Sequence, residues 1–291
     1  GTAMVVQGVT DVGRRLGVNG VWGNLGVAAA ALTAGALIQA HGWRAAFIVP
    51  GAVSLLAGLA FSFVAPPPRA PARKAAAGQR EGLSPGLVRV FTVLALTTLC
   101  GGLIFNATLV SLPKVFSVRL ADYAPSTFGV AGLVSLVYVF GAMSQIVVGR
   151  LLDRYSLRSV LMGVAGLQIP CLLAAATAHN LALLLVAGVM MLTIFGAIPI
   201  QDTLVARNTA DGWRARIYAL KYLISLGIAS FAVPLVAFVY GATQDFVWLF
   251  GLYATLSLLI VGIGSFLPKG DRPLVDALAP KLATSQSAGD D

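Results

Sequence analysis

The chain is short of the residues from which water-facing surfaces and most active sites are built. Only 11 % of its 291 residues are Asp, Glu, Lys or Arg, and just 11 of them are acidic. Soluble domains carry about a quarter charged residues, so a chain this poor in charge cannot clothe a globular surface. Histidine occurs twice, at His41 and His179, in separate turns, and no Ser/His/Asp or His/Glu grouping forms within an apolar run. Catalytic and metal-ligating clusters draw on those residue types, so no enzyme centre, cofactor or metal site is expected. The two cysteines, Cys100 and Cys171, lie in apolar runs without a metal-binding spacing, which argues against a disulfide framework. A Walker-type glycine loop is missing, and ATP hydrolysis with it. No cleavable signal peptide is recognisable.

What is present in excess is apolar length. Hydrophobic residues make up 58 % of the chain and the mean hydropathy is +0.87. Uncharged runs cover 16–43, 45–68, 90–113, 123–149, 159–201, 222–244 and 246–268. A helix crosses the hydrocarbon core with about 20 residues. The 159–201 run has room for two spans and is interrupted at Thr177-Ala178-His179-Asn180, so the reading is eight membrane-spanning helices. Solid runs, rather than alternation over about 10 residues, favour an all-α polytopic bundle over a barrel.

The net charge of +9 is explained by its placement. One set of alternate loops holds Arg14 and Arg15, five basic residues over 69–89, Arg150, Arg154 and Arg158, then Arg207, Arg214, Arg216 and Lys221, and finally Lys269, Arg272 and Lys281. The opposite set holds Arg44, Lys114 and Arg119. Basic residues gather in cytoplasmic loops, so this asymmetry predicts a multi-pass protein of the cytoplasmic membrane with its C-terminus inside. The charge thus reports orientation, and a nucleic-acid partner is not called for.

An internal repeat organises the spans. "RRLGVNGVWGNLGVAAA" from Arg14 aligns with "RARIYALKYLISLGIAS" from Arg214, and the match continues through Ser54-Leu55-Leu56 against Ser257-Leu258-Leu259. Four spans precede the second copy within its own half, so four are expected upstream of the first, beyond a chain that opens at Gly1. The expected division is 1–65 as the rest of a first half, 66–88 as a Pro/Ala/Arg tether, 89–268 as a second six-helix half and 269–291 as a cytoplasmic tail.

The repeat, the "GWRAAF" turn at 42–47 and the charged stretch "GRLLDRYSLR" at 149–158 together resemble the Major Facilitator Superfamily. In that family a loop of pattern G-x-x-x-D-[RK]-x-G-[RK]-[RK] joins the second and third helices of a half. Gly149, Asp153, Arg154 and Arg158 match it, whereas Ser156 and Leu157 depart from it. The resemblance implies twelve helices in two halves of six, of which helices 5–12 are retained. It further implies a monomeric secondary transporter that moves a small organic solute across a lipid bilayer by alternating access, with proton-coupled efflux as the first reading. Uptake by symport or uniport with the same fold stays open, as does a channel or non-transporting receptor. Ala30-Ala31 stand where family drug antiporters usually carry a Gly-Pro pair.

Two sets of residues carry the expected function. Asp153 should present its carboxylate to the start of the helix that begins near Arg216, joined by Arg154 internally and Arg214 or Arg216 across, with Gly149 admitting a close neighbour and Arg158 completing the loop. For the pathway, Tyr218, Lys221, Tyr222 and Ser225 fall at helical spacing on one stripe. Lys221 then either lines the cavity, favouring an anionic solute, or snorkels to the surface. Asn24, Thr98, Asn106, Tyr138 and Gln145 are weaker pathway candidates that could equally bond helix to helix. No acidic residue occupies the middle of a run, Asp202 being read as a helix-end residue. A coupling carboxylate is therefore expected upstream, or the transporter is a uniporter.

Overall fold

The computed structural model describes residues 11–63, 85–209 and 211–267; side chains of 85–90 and 211–215 are left aside. Among the described residues there are eight α-helices and no strand. They are α1 (Val12–His41), α2 (Ala45–Ser62), α3 (Pro85–Arg119), α4 (Thr127–Arg154), α5 (Leu157–Thr177), α6 (Asn180–Asn208), α7 (Asp211–Thr243) and α8 (Val247–Gly264). All eight are long and apolar enough to cross a membrane, because even an 18-residue helix reaches about 27 Å. Short connections join α1 to α2 and α3 through α6 in series, so these neighbours alternate in direction. Their ends collect at an arginine-rich face and an opposite face.

Local chemistry sets the boundaries. The Ser126 hydroxyl accepts from Gly129 N to start α4, and that of Ser156 accepts from Ser159 N to start α5. Gly42, at φ 80°, ends α1 in a backbone region that a Cβ disfavours. The 159–201 run does break, at Ala178-His179, and α6 opens at Asn180. Pro50, Pro113, Pro170, Pro199 and Pro234 all lie inside helices. Helices overrun the uncharged runs: α7 begins at Asp211 rather than at Tyr222, and α3 at Pro85, making the end of the expected tether helical. The rest of the tether, the opening stub and the tail lie outside the described residues.

Packing follows three seams. α1 lies along α4, α4 along α6, and α5 along α8, with α3 against α7, α8 and α6. Phe195 of α6 is fully buried, with ring centroids 5.4 Å from Phe105 and 5.7 Å from Tyr138. Gly141 makes room for that ring, since a Cβ there would lie 3.0 Å from it. The opposite face is tied by Arg119, which donates to the carbonyls of Ala175 and Ala178 and to Asp245 Oδ1 at 3.0, 3.2 and 3.2 Å. Asp245 in turn accepts from Phe246 N and Val247 N, capping α8. One cation thereby joins the ends of α3, α5 and α8. No residue of α2 is buried.

Candidate functional site

The charged stretch at the end of α4 meets the start of α1. Asp153 Oδ1 accepts from Gly13 N at 2.9 Å and Oδ2 from Arg14 N at 2.8 Å. Those amides belong to the first turn of α1, where no intrahelical acceptor exists, and where the helix dipole adds attraction for an anion. Arg207, near the end of α6, donates to Leu152 O at 2.6 Å and lies 3.9 Å from Asp153 Oδ1. The carboxylate is therefore held by two amides and faced by a cation, with its side chain 23 % exposed.

Glycines let the two backbones come close enough for this. A Cβ on Gly149 would stand 2.5 Å from Gly13 O and 3.3 Å from Gly17 Cα. A Cβ on Gly17 or Gly20 would collide with Gln145, through its backbone carbonyl in one case and its amide oxygen in the other. A side chain at Gly149 or Gly17 meets backbone and pushes the helices apart, whereas one at Gly20 meets only the end of the Gln145 side chain, so the glycines at 17 and 149 give a backbone contact.

This corrects the expected latch. Asp153 caps α1, not the helix beginning near Arg216. A carboxylate at the end of a helix reaches only the helix that lies alongside, and α4 runs along α1, whereas α7 packs on α3 and α6. Arg216 is exposed on α7, and the Arg214 side chain lies outside the described residues. Arg154 is exposed. Arg158 turns away and donates to Leu267 O, beyond the end of α8, at 3.3 Å. The sequence reading missed Gly13, Arg14 and Arg207 as Asp153's partners. The repeat held a usable signal, since it marks the start of α1 as the equivalent of the segment chosen on α7.

A second charged group lies between α6 and α7. Lys221 and Asp202 are each 7 % exposed, and Lys221 Nζ donates to Asp202 Oδ1 at 2.5 Å. The Tyr218 hydroxyl donates to Asp202 O at 2.7 Å. Lys221 therefore neither snorkels nor stands alone. Asp202 is not a helix-end residue, because α6 continues for more than a turn, to Asn208. Tyr222 is 46 % exposed with its ring 5.7 Å from Lys221 Nζ, and Ser225 is half-buried on the same stripe.

The other expected pathway residues scatter. Asn24 and Asn106 donate to the carbonyls of their own helices, Gly20 O and Gly102 O, and the Tyr138 hydroxyl donates to Leu109 O. Thr98 Oγ1 and both amide atoms of Gln145 are buried without a hydrogen-bond partner. A cleft between α3, α5, α6 and α8, lined by Thr97, Gln168 and Gln201, contains none of the expected pathway residues. Among the described residues no group of His, Cys, Asp or Glu could hold a metal ion.

Residues 2–234 match the family model described as Major Facilitator Superfamily. None of the curated proteins matches the chain.

Proposed function

The chain belongs to the Major Facilitator Superfamily, and from that membership we propose that it moves a small organic solute across the membrane by alternating access. In this reading α1 and α2 belong to one half and α3 to α8 to the other, and the α1–α4 seam is the contact about which the halves rock. The arginine-rich face is cytoplasmic, by the bias of basic residues. Asp153 is the clamp that keeps this face shut.

The observation that carries the reading is the double acceptance by Asp153 of Gly13 N and Arg14 N across the seam. A carboxylate at a partly buried helix start contributes up to about 2 kcal/mol, and losing that shifts a two-state balance roughly thirtyfold. Such a clamp is strong enough to bias closure and weak enough to break in each cycle. A seam of glycines suits the motion, because it has few side chains to disengage.

Gln145 is fully buried in the seam, so a cysteine there reports its opening. In a background with Cys100 and Cys171 replaced, Gln145→Cys should react slowly with a methanethiosulfonate reagent. Adding Asp153→Asn should accelerate the reaction at least about tenfold, in line with the helix-start term. An unchanged rate would sink the clamp.

A further inference from the structure

The buried pair Asp202–Lys221 offers a coupling chemistry that the clamp does not supply. We propose that this pair is the site at which one proton and one carboxylate-bearing solute are taken up together, the proton on Asp202 and the carboxylate on Lys221. The inference rests on the transport reading above and names its substrate class and coupling ion.

The reasoning is charge balance in a place where net charge is costly. Asp202 and Lys221 are each 7 % exposed and bonded to each other, so the pair holds one negative and one positive charge. The charged groups brought near by the surrounding helices are engaged elsewhere or exposed. Asp153 of α4 caps α1, and Arg207 of α6 itself bonds Leu152 O. Arg158 of α5 bonds Leu267 O, while Arg15 of α1 pairs with Asp11. Arg14, Arg150, Arg154 and Arg216 are exposed. From α3 the titratable groups with described side chains are Cys100, within the span, and Lys114 and Arg119 toward the far face. From α8 there is Tyr253. Lys221 is the only cation in bonding distance of the Asp202 carboxylate among the described residues.

A proton from water that adds to Asp202 turns the carboxylate into a neutral acid and removes the counter-charge of Lys221. The ammonium keeps its protons and is left as an uncompensated buried charge, an arrangement far more costly than the intact pair. A solute carboxylate restores neutrality by accepting from the ammonium in place of Asp202. It can approach from the side of Tyr222, which is 46 % exposed, and Ser225. Only two states are then neutral: the empty ion pair, and the site carrying both proton and anion. A proton alone or an anion alone leaves net charge, so each promotes binding of the other, which is the thermodynamic content of coupling. Release reverses the steps, with the proton returning to water and the pair re-forming.

The test uses the 291-residue chain in lipid nanodiscs, in weakly buffered solution with a pH indicator, titrated with sodium formate, acetate and benzoate brought to the same pH. Uptake of about one proton per bound anion is expected, with affinity falling about tenfold for each unit rise in pH over the range in which that proton is taken up, as linkage of a single proton requires. Asp202→Asn, which imitates the protonated acid, should bind the anion without proton uptake and independently of pH. Lys221→Gln should abolish binding. The double variant keeps the site neutral and should fold as the parent does, without binding. Anion binding without proton uptake in the unaltered chain, or no binding of any of the three anions, overturns the proposal. The seam-opening experiment at Gln145→Cys does not involve this pair, so a positive result there with no proton uptake here would leave alternating access standing and remove only the coupling site.

Discussion

Replacing Gly149 by alanine adds one methyl group where the backbones of α1 and α4 are closest. The new Cβ would stand 2.5 Å from Gly13 O, whereas carbon–oxygen contacts settle near 3.3 Å. The obstacle is backbone and cannot swing aside, so the seam must widen by ~0.8 Å. The bonds from Gly13 N and Arg14 N to Asp153, now 2.9 and 2.8 Å, would lengthen beyond hydrogen-bonding range. Overpacking costs about 1–3 kcal/mol and loss of the helix-start interaction a further ~1. A total of ~2–4 kcal/mol raises the open population by roughly thirty- to a thousandfold. Hydrogen exchange of the peptide holding Gly13 and Arg14 reads this directly, because first-turn amides have no intrahelical acceptor and are protected here by Asp153. Gly163→Ala is the control, since a Cβ there meets nothing within 4 Å. If exchange in the first turn of α1 stays within about threefold of the parent, well below the expected shift, the close-contact reasoning is refuted.

Other consequences can be read by unfolding in detergent, followed through alkylation of the buried Cys100 thiol. Gln145→Leu exchanges a buried amide without hydrogen-bond partners for an apolar side chain of similar size and should stabilise by about 1 kcal/mol; a loss of stability would mean that the amide has a partner. Arg119→Leu strands the carbonyls of Ala175 and Ala178 and removes the cation that faces Asp245, so the unfolding transition should drop by the equivalent of about 3 kcal/mol. An unchanged transition would show that Arg119 is held no better than a surface cation.

Much of the architecture is legible in the residue order, and the reasons are physical. A membrane helix must be apolar over its length and must satisfy its own backbone, so uncharged runs mark spans, and the polar break at 177–180 divides two helices. Helix rotation is far less legible. A span that is apolar on nearly every face gives no periodic signal for the side that meets a neighbour, so the sequence leaves Asn24 and Asn106 open between a pathway and a helix contact, whereas both bond within their own helices. Charged ends mislead differently. Asp202 stands just beyond an uncharged run, and counting charges put the helix end there, whereas α6 continues to Asn208 and carries Asp202 inward. The sequence pairs Asp153 with the helix beginning near Arg216 and the structure sets it at the start of α1, because a repeat identifies equivalent segments without saying which of them lies alongside α4. Side-chain contacts such as Lys221 with Asp202 join residues of adjacent helices through a register that sequence spacing does not encode.

The distance between α1 and α5 at the arginine-rich face tests the central claim most directly. Nitroxides at Val18→Cys on α1 and Gly163→Cys on α5, both exposed positions, in a background with Cys100 and Cys171 replaced, span that face in lipid nanodiscs. Electron–electron double resonance should resolve a short and a long separation, and Asp153→Asn should move most of the weight to the long one. A single separation, the same with Asp153 or asparagine, would contradict the account.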